Sequence, residues 1–232
     1  SSAASDVYKR QDLTGMGNSD HRENYTPETY GKEILAVAED SGFFESRPCS
    51  PIICGHSLGG YMSIHAANLA SELVKGVIMI DSPIRPPDFD YSNHRGTGPI
   101  RKRKTYPNEK AILERFKLAP DQPIAFQFIL DYIAKNSIQE INGGFEWKFD
   151  DTLFNKLGYP NMPKNSAFGL SCPLGYIYGE NSALVTPNIL KYMKSKFKED
   201  TKVIEIKEAH HHVLLDRPIE LAKAIKKIDL NW

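Results

Sequence analysis

A short motif limits what this chain can fold into more than any other feature of its sequence. The apolar residues 51–54 run directly into Gly55-His56-Ser57-Leu58-Gly59, and residues 61–73 then follow an amphipathic helical pattern. Glycines on both sides of a serine at this spacing let the backbone turn sharply from strand into helix, which holds the serine in a strained, exposed position. The sequence therefore predicts that Ser57 lies at the top of a sheet, at a helix N-terminus that favours negative charge.

Strands and helices alternate along most of the chain. The residues predict further strands at 75–80, 173–179 and 202–206, and helices at 27–42, 187–197 and 218–228. For the first helix, Thr26 is the expected N-cap and Pro27 the first helical residue. The first of these strands is a continuous apolar run, which is typical of a parallel strand buried on both faces. The predicted fold class is α/β, with a mostly parallel sheet and helices on both faces.

The alternation is interrupted once. From Pro83 the sequence is rich in proline and polar residues, and two helical patterns, at 108–116 and 123–138, follow before the alternation resumes. We expect a core formed by residues 12–82 and 166–232, with a helical insertion at 83–165. Residues 1–11 have neither a signal-peptide pattern nor a strand pattern, so we interpret them as a leader that is foreign to the fold.

Composition argues against several classes of partner. The 29 Lys and Arg residues balance 29 Asp and Glu residues, so there is no cationic surplus for nucleic acid or an anionic membrane. No apolar run approaches the roughly 18 residues that span a bilayer. The cysteines form no even set and no C-x-x-C pair, which predicts reduced thiols and a cytoplasmic location; they are Cys49, Cys54 and Cys172. We expect no cofactor, and the oligomeric state stays open.

Three adjacent histidines near the end of the chain are candidate bases. A serine hydroxyl is a weak nucleophile until a base accepts its proton. His210, His211 and His212 lie in a predicted turn between a strand and a helix, and only one of them can face Ser57. Adjacent histidines in one turn diverge in direction and lack partner ligands at the usual spacing, so we expect no metal site.

Three motifs together resemble the α/β-hydrolase superfamily: D-L-T-G-M-G-N-S at 12–19, G-H-S-L-G-G at 55–60 and A-H-H-H-V-L-L-D-R-P at 209–218. The resemblance implies the order nucleophile, acid, histidine. In the closing motif of that superfamily the histidine stands five residues before an aspartate. Counting back from Asp216 selects His211 as the base, with His210 as second choice.

The resemblance leaves two candidates for the acid. Superfamily members most often carry it after the strand at 173–179, but this chain has Glu180 there and Ser182 where the usual aspartate stands. Some members carry it at the end of the strand after the nucleophile helix, which is Asp81 in this chain. The crevice of a parallel sheet lies at that edge, so we favour Asp81 over Glu180.

A serine nucleophile disfavours the dehalogenase and epoxide-hydrolase chemistries of the superfamily and leaves acyl transfer to water. We expect a serine hydrolase that cleaves an ester, thioester or similar bond of a small, largely apolar acyl substrate. The backbone N–H of Leu58 is one expected oxyanion donor, and the second is expected from a loop outside this chain. A non-turnover binding protein and a C–C bond hydrolase with the same triad are the alternatives.

The insertion at 83–165 resembles the helical cap of the superfamily, which walls the substrate pocket. His56 and Trp147 are candidate pocket residues. The aromatic residues of the insertion are candidates to line an apolar acyl or alcohol pocket, but most of them are expected to pack between cap helices; they are Phe126, Phe128, Tyr132, Phe145, Trp147 and Phe149. The basic residues 101–104 favour a solvated loop over a site for an anionic substrate.

Ser57 is preceded by 56 residues, and a strand-helix-strand unit takes about 30 residues. We therefore expect that strands of the fold precede this chain. On that interpretation, residues 1–232 alone expose the edge of the strand at 51–54, fold poorly and have little activity.

Overall fold

Four parallel strands form the centre of the protein, as described by a computed structural model of residues 8–45, 50–90, 103–157, 168–229 and 232. The first half contains α1 (Pro27–Asp40), β1 (Ile52–His56), α2 (Leu58–Leu69) and β2 (Gly76–Ile80). The insertion contains α3 (Glu109–Leu113), α4 (Gln127–Asn136), β3 (Ile138–Ile141), β4 (Gly144–Trp147) and α5 (Leu153–Lys156). The second half contains β5 (Leu174–Gly179), α6 (Pro187–Lys196), β6 (Lys202–Ile206), α7 (Val213–Asp216) and α8 (Pro218–Asp229).

The central sheet has the order β1-β2-β5-β6, and each neighbouring pair is parallel. Every residue of β2 is buried, because helices cover both faces of the sheet. Val77 and Met79 pack in a cluster with residues of α2 and α6, whereas Ile78 and Ile80 pack in a cluster with residues of α8. This alternation along one strand confirms the predicted α/β fold class, with helices on both sides of a parallel sheet.

Helix α1 begins as the sequence predicts. The Thr26 hydroxyl accepts a hydrogen bond from the backbone N–H of Thr29 at 3.0 Å, and Pro27 occupies the first helical position. Tyr30 of α1 is buried in a cluster with Tyr61 of α2. This packing holds α1 against α2, the helix that follows Ser57.

The insertion is not purely helical. β3 and β4 form an antiparallel hairpin joined by Asn142 and Gly143, in a segment for which we predicted no strands. The expectation that the aromatic residues pack internally is wrong for Phe128 and Tyr132, which are each 70% exposed, and for Phe126. In α4 only Ala134 is buried, so most of this short helix faces away from the core.

Several other expectations can be placed on the structure. Cys54 and Cys172 are free thiols, and Cys49 lies outside the described residues. Arg103 forms an ion pair with Glu146 at 3.1 Å, whereas residues 101 and 102 lie outside the described part. Among the helices that the structure describes, none combines the length and apolarity needed to cross a bilayer.

Candidate active site

Ser57 stands at the sharp turn between β1 and α2. Its backbone has φ 53° and ψ −116°, a conformation that costs energy in a residue with a Cβ atom. A Cβ atom at Gly55 would overlap the backbone of Gly59, and one at Gly60 would overlap the Ser82 hydroxyl. A Cβ atom at Gly59 would meet no described atom within 4 Å. The tight approach therefore requires glycine at positions 55 and 60.

The backbone of Ser57 is tied to the end of the neighbouring strand. Its N–H donates to the carbonyl oxygen of Ile80 at 2.9 Å, and its carbonyl oxygen accepts from the Ser82 hydroxyl at 2.8 Å. The Ser57 side chain makes no hydrogen bond that caps α2. These contacts hold the turn against the carboxyl end of β2, the edge at which parallel α/β sheets bind ligands.

Asp81 follows β2 directly and is completely buried. Its Oδ2 accepts from the backbone N–H of Gly179 at 2.8 Å, and its Oδ1 accepts from the Ser182 hydroxyl at 2.6 Å. Both donors stand at the end of β5 or in the turn after it. Because a buried carboxylate is costly unless it is hydrogen-bonded, these contacts stabilise Asp81 and fix its orientation.

The His211 ring is buried beside Asp81. Its Nδ1 lies 2.7 Å from Asp81 Oδ1. A carboxylate can only accept, so Nδ1 carries the proton and the lone pair lies on Nε2. The arrangement leaves Nε2 of His211 able to accept a proton from another group.

Two further histidines surround the His211 ring. Nε2 of His56 donates to the backbone carbonyl oxygen of His211 at 2.8 Å, and the two ring centroids are 4.7 Å apart. Burial, and secondarily the charge that His211 can carry, lowers the pKa of His56 to about 3. The same two causes lower the pKa of His212 to about 4. Both rings are therefore neutral at pH 7.

The other predicted residues lie apart from this pair or contact different partners. Glu180 accepts from the Lys207 ammonium group at 2.8 Å and from the Glu208 N–H, and the Lys207 hydrogen bond is the main cause that lowers its pKa. His210 Nδ1 contacts Asp216 at 3.1 Å. The Trp147 ring in β4 packs against Phe116, with centroids 5.8 Å apart. The structure thus pairs His211 with Asp81 and places Glu180 in a surface ion pair.

Comparison with known proteins agrees with this architecture. Residues 3–224 match the profile of the Alpha/beta hydrolase family. This chain belongs to the alpha/beta hydrolase family. The match begins inside residues 1–11, the segment that we interpreted as a leader.

Three proteins illustrate what this chain is similar to. The chain is 24% identical to an esterase of Mycobacterium tuberculosis, covering 94% of this chain and 72% of the relative. It is 26% identical to a (lyso)-N-acylphosphatidylethanolamine lipase of Bos taurus, covering 89% of this chain and 66% of the relative. The solved structure of E-2-(acetamidomethylene)succinate hydrolase superposes with a TM-score of 0.74 at 23% identity, covering 94% of this chain and 79% of that one. The protein is a hydrolase enzyme.

Two residues near the paired Asp81 and His211 of this hydrolase were not assigned from the sequence. Ser182, which stands where the superfamily acid is usual, donates to Asp81 instead. Gln122 of the insertion donates to both carboxylate oxygens of Asp216 at 3.1 Å and accepts from the His212 N–H at 2.9 Å. Ser182 could have been found from its position, whereas no pattern in the sequence marks Gln122.

Leu58 of this hydrolase is the first residue of α2. The N–H groups in the first turn of a helix have no intrahelical acceptor. The N–H of Leu58 is therefore free of the helix ladder and lies next to Ser57 along the chain.

Proposed function

We propose that this hydrolase cleaves an ester, thioester or similar acyl bond of a small, largely apolar molecule through a covalent acyl-enzyme. Ser57 is the nucleophile, His211 the general base and Asp81 the acid that orients it. The observation that carries this proposal is the buried contact of 2.7 Å between His211 Nδ1 and Asp81 Oδ1. It lies at the sheet edge where the strained Ser57 turn is anchored to β2.

In the first step, Ser57 Oγ attacks the carbonyl carbon while His211 Nε2 accepts the hydroxyl proton. His211 then gives this proton to the departing oxygen or sulfur, which leaves the acyl group on Ser57. In the second step, a water molecule gives a proton to His211 and attacks the acyl-enzyme, and the acid product leaves as Ser57 recovers its proton. Asp81 holds the Nδ1–H tautomer throughout and stabilises the transient imidazolium.

Negative charge develops on the carbonyl oxygen in both steps. The free N–H of Leu58, beside the nucleophile, is one donor for this oxygen. Helix α2 adds the partial positive charge of its N-terminus. Residues 83–165 act as the cap that excludes water and selects the substrate, with His56 and Trp147 as candidate pocket residues.

Relatives named esterase and lipase favour ester cleavage over the alternatives. A direct test compares the hydrolysis of p-nitrophenyl butyrate by the full-length wild type and by Ser57→Ala. We expect kcat/KM to fall by at least about 10⁴-fold in the variant. The control is Ser195→Ala, because Ser195 is an exposed residue of α6 whose hydroxyl donates to the Tyr192 carbonyl oxygen of the same helix at 2.7 Å. A Ser57→Ala enzyme with near wild-type activity would refute the assignment.

A further inference from the structure

Three imidazole rings meet at the His211 site. His56 comes from the end of β1, whereas His211 and His212 come from the turn after β6. One ring nitrogen of each residue lies within 4.8 Å of one ring nitrogen of each of the others. From the sequence, the three consecutive histidines are expected to diverge. The structure adds a ring from the strand before Ser57, His56, beside two of them.

Hydrogen bonds on the far side of two rings fix their tautomers. His211 Nδ1–H donates to Asp81, and His56 Nε2–H donates to the carbonyl oxygen of His211. The remaining nitrogens, His211 Nε2 and His56 Nδ1, therefore carry lone pairs. This pattern, a ligand imidazole whose other N–H is bound to a carboxylate or backbone carbonyl, is the usual outer support of protein metal sites.

The third ring offers a buried nitrogen without a partner. Nε2 of His212 has no hydrogen-bond partner among the residues that the structure describes. The backbone of His212 is held by Gln122, whose side-chain oxygen accepts its N–H at 2.9 Å. His210, the remaining histidine of the turn, is directed to Asp216 and is not part of the group.

We propose that His56, His211 and His212 bind one transition-metal ion of the Zn²⁺, Cu²⁺ or Ni²⁺ class. Three neutral imidazoles suit these borderline ions, whereas Mg²⁺ and Ca²⁺ require oxygen ligands. Metal–nitrogen bonds of about 2.0 Å in a tetrahedron need nitrogens roughly 3.4 Å apart. The ring nitrogens lie within 4.8 Å of one another, so the distances between them must shorten by up to about 1.4 Å. Rotation about the side-chain torsions can provide this change.

Occupation of this site blocks hydrolysis. The metal takes the lone pair of His211 Nε2, which is the atom that must accept the Ser57 proton. This consequence rests on the proposed function, whereas metal binding itself does not. The ion is thus a reversible inhibitor and not a cofactor.

Binding is tested by calorimetric titration of the full-length protein with Zn²⁺. We expect one ion per chain in the wild type and at least tenfold weaker binding in His212→Gln and in His56→Asn. The control is His21→Gln, which removes a histidine outside the group and should leave the affinity within twofold. Circular dichroism confirms that each variant is folded. Absence of binding to the wild type, or unchanged binding by both folded site variants, overturns the proposal.

Visible absorption of bound Co²⁺ supplies a second readout that needs no variant. Four-coordinate Co²⁺ absorbs strongly, and we expect this band on the wild type and its loss when Zn²⁺ is added; a six-coordinate spectrum contradicts the site.

Inhibition is measured with p-nitrophenyl butyrate as substrate. Zn²⁺ should inhibit the wild type, and EDTA should restore its activity. His212→Gln should require at least a tenfold higher Zn²⁺ concentration for the same inhibition. Zn²⁺ bound to a protein that hydrolyses no ester supports the site and refutes the proposed function. If Zn²⁺ binds an active enzyme and does not inhibit it, the metal does not compete with the Ser57 proton for His211 Nε2, and that consequence is overturned.

Discussion

Nδ1 of His211 lies 2.7 Å from Oδ1 of Asp81, and both side chains are buried. Asp81 follows β2, whereas the hydroxyl and the N–H that support it belong to Ser182 and Gly179 at the end of β5. The acid site is therefore built at the ends of two neighbouring strands. The carboxylate of Asp81 follows β2, and the hydroxyl of Ser182, in the turn after β5, orients it.

Asp81→Asn should lower kcat/KM by roughly 10³–10⁴-fold, because an amide cannot hold the Nδ1–H tautomer of His211 as a carboxylate does. The loss is measured by ester hydrolysis with the full-length protein. Glu180→Gln is the matched control and should keep activity within about twofold, since Glu180 contacts Lys207 at the surface. A large loss in Glu180→Gln, with Asp81→Asn active, would reverse the assignment of the acid.

Ser182→Ala should lower kcat by roughly tenfold with little change in KM. It removes one hydrogen bond to the Asp81 carboxylate, a contact of a kind that contributes about 1.5–3 kcal/mol. Ser182→Thr keeps the hydroxyl and should recover most of the rate. A change confined to KM, or no recovery by threonine, would contradict a role in orienting Asp81.

Protonation of the buried histidines should make the protein less stable in acid. The pKa of His56 is lowered by burial to about 3 in the folded protein, against an ordinary value of 6.5. Between these values the unfolded chain binds a proton that the folded chain does not, so the free energy of unfolding falls as pH drops below 6.5. The slope reaches at most about 1.4 kcal/mol per pH unit for each such proton.

Urea unfolding between pH 7 and pH 4.5 measures this slope. His56→Gln removes one titrating group and should flatten the dependence, whatever its effect on stability at pH 7. His212 remains in the variant and, with its own lowered pKa, keeps part of the slope. An unchanged slope in His56→Gln would contradict the burial of a neutral His56 ring.

The glycines of the turn should differ in their tolerance of a side chain. Gly55→Ala places a Cβ atom into the backbone of Gly59, which cannot move away, so we expect a loss of at least about 3 kcal/mol in unfolding free energy. Gly59→Ala meets open space within a helix and should be neutral or stabilising by up to about 1 kcal/mol. Chemical denaturation of both variants checks this, and equal destabilisation would contradict it.

The core of the fold could be predicted from the sequence because its signals are local. Short apolar runs located the strands of the central sheet, and Thr26 with Pro27 located the start of α1. The hairpin of β3 and β4 was missed because a helical pattern was extended through Ile138. The Asn142-Gly143 pair, which is typical of two-residue hairpin turns, was the signal that could have identified it.

The contacts that converge on the site depend on distant parts of the chain. His56 and His211 are 155 residues apart along the chain, and no sequence pattern predicts that one donates to the backbone of the other. Gln122 reaches Asp216 across 94 residues. Such pairs are set by how the insertion and the turns pack on the sheet, which periodicity does not encode.

Labelling with a fluorophosphonate probe reports whether Ser57 is a nucleophile that the Asp81–His211 pair activates. The full-length protein is treated with the probe, digested and mapped by mass spectrometry. We expect one phosphonyl group on Ser57, with no labelling of Ser57→Ala and much slower labelling of His211→Ala. Absence of labelling in the folded wild type, or labelling that persists in Ser57→Ala, would contradict it.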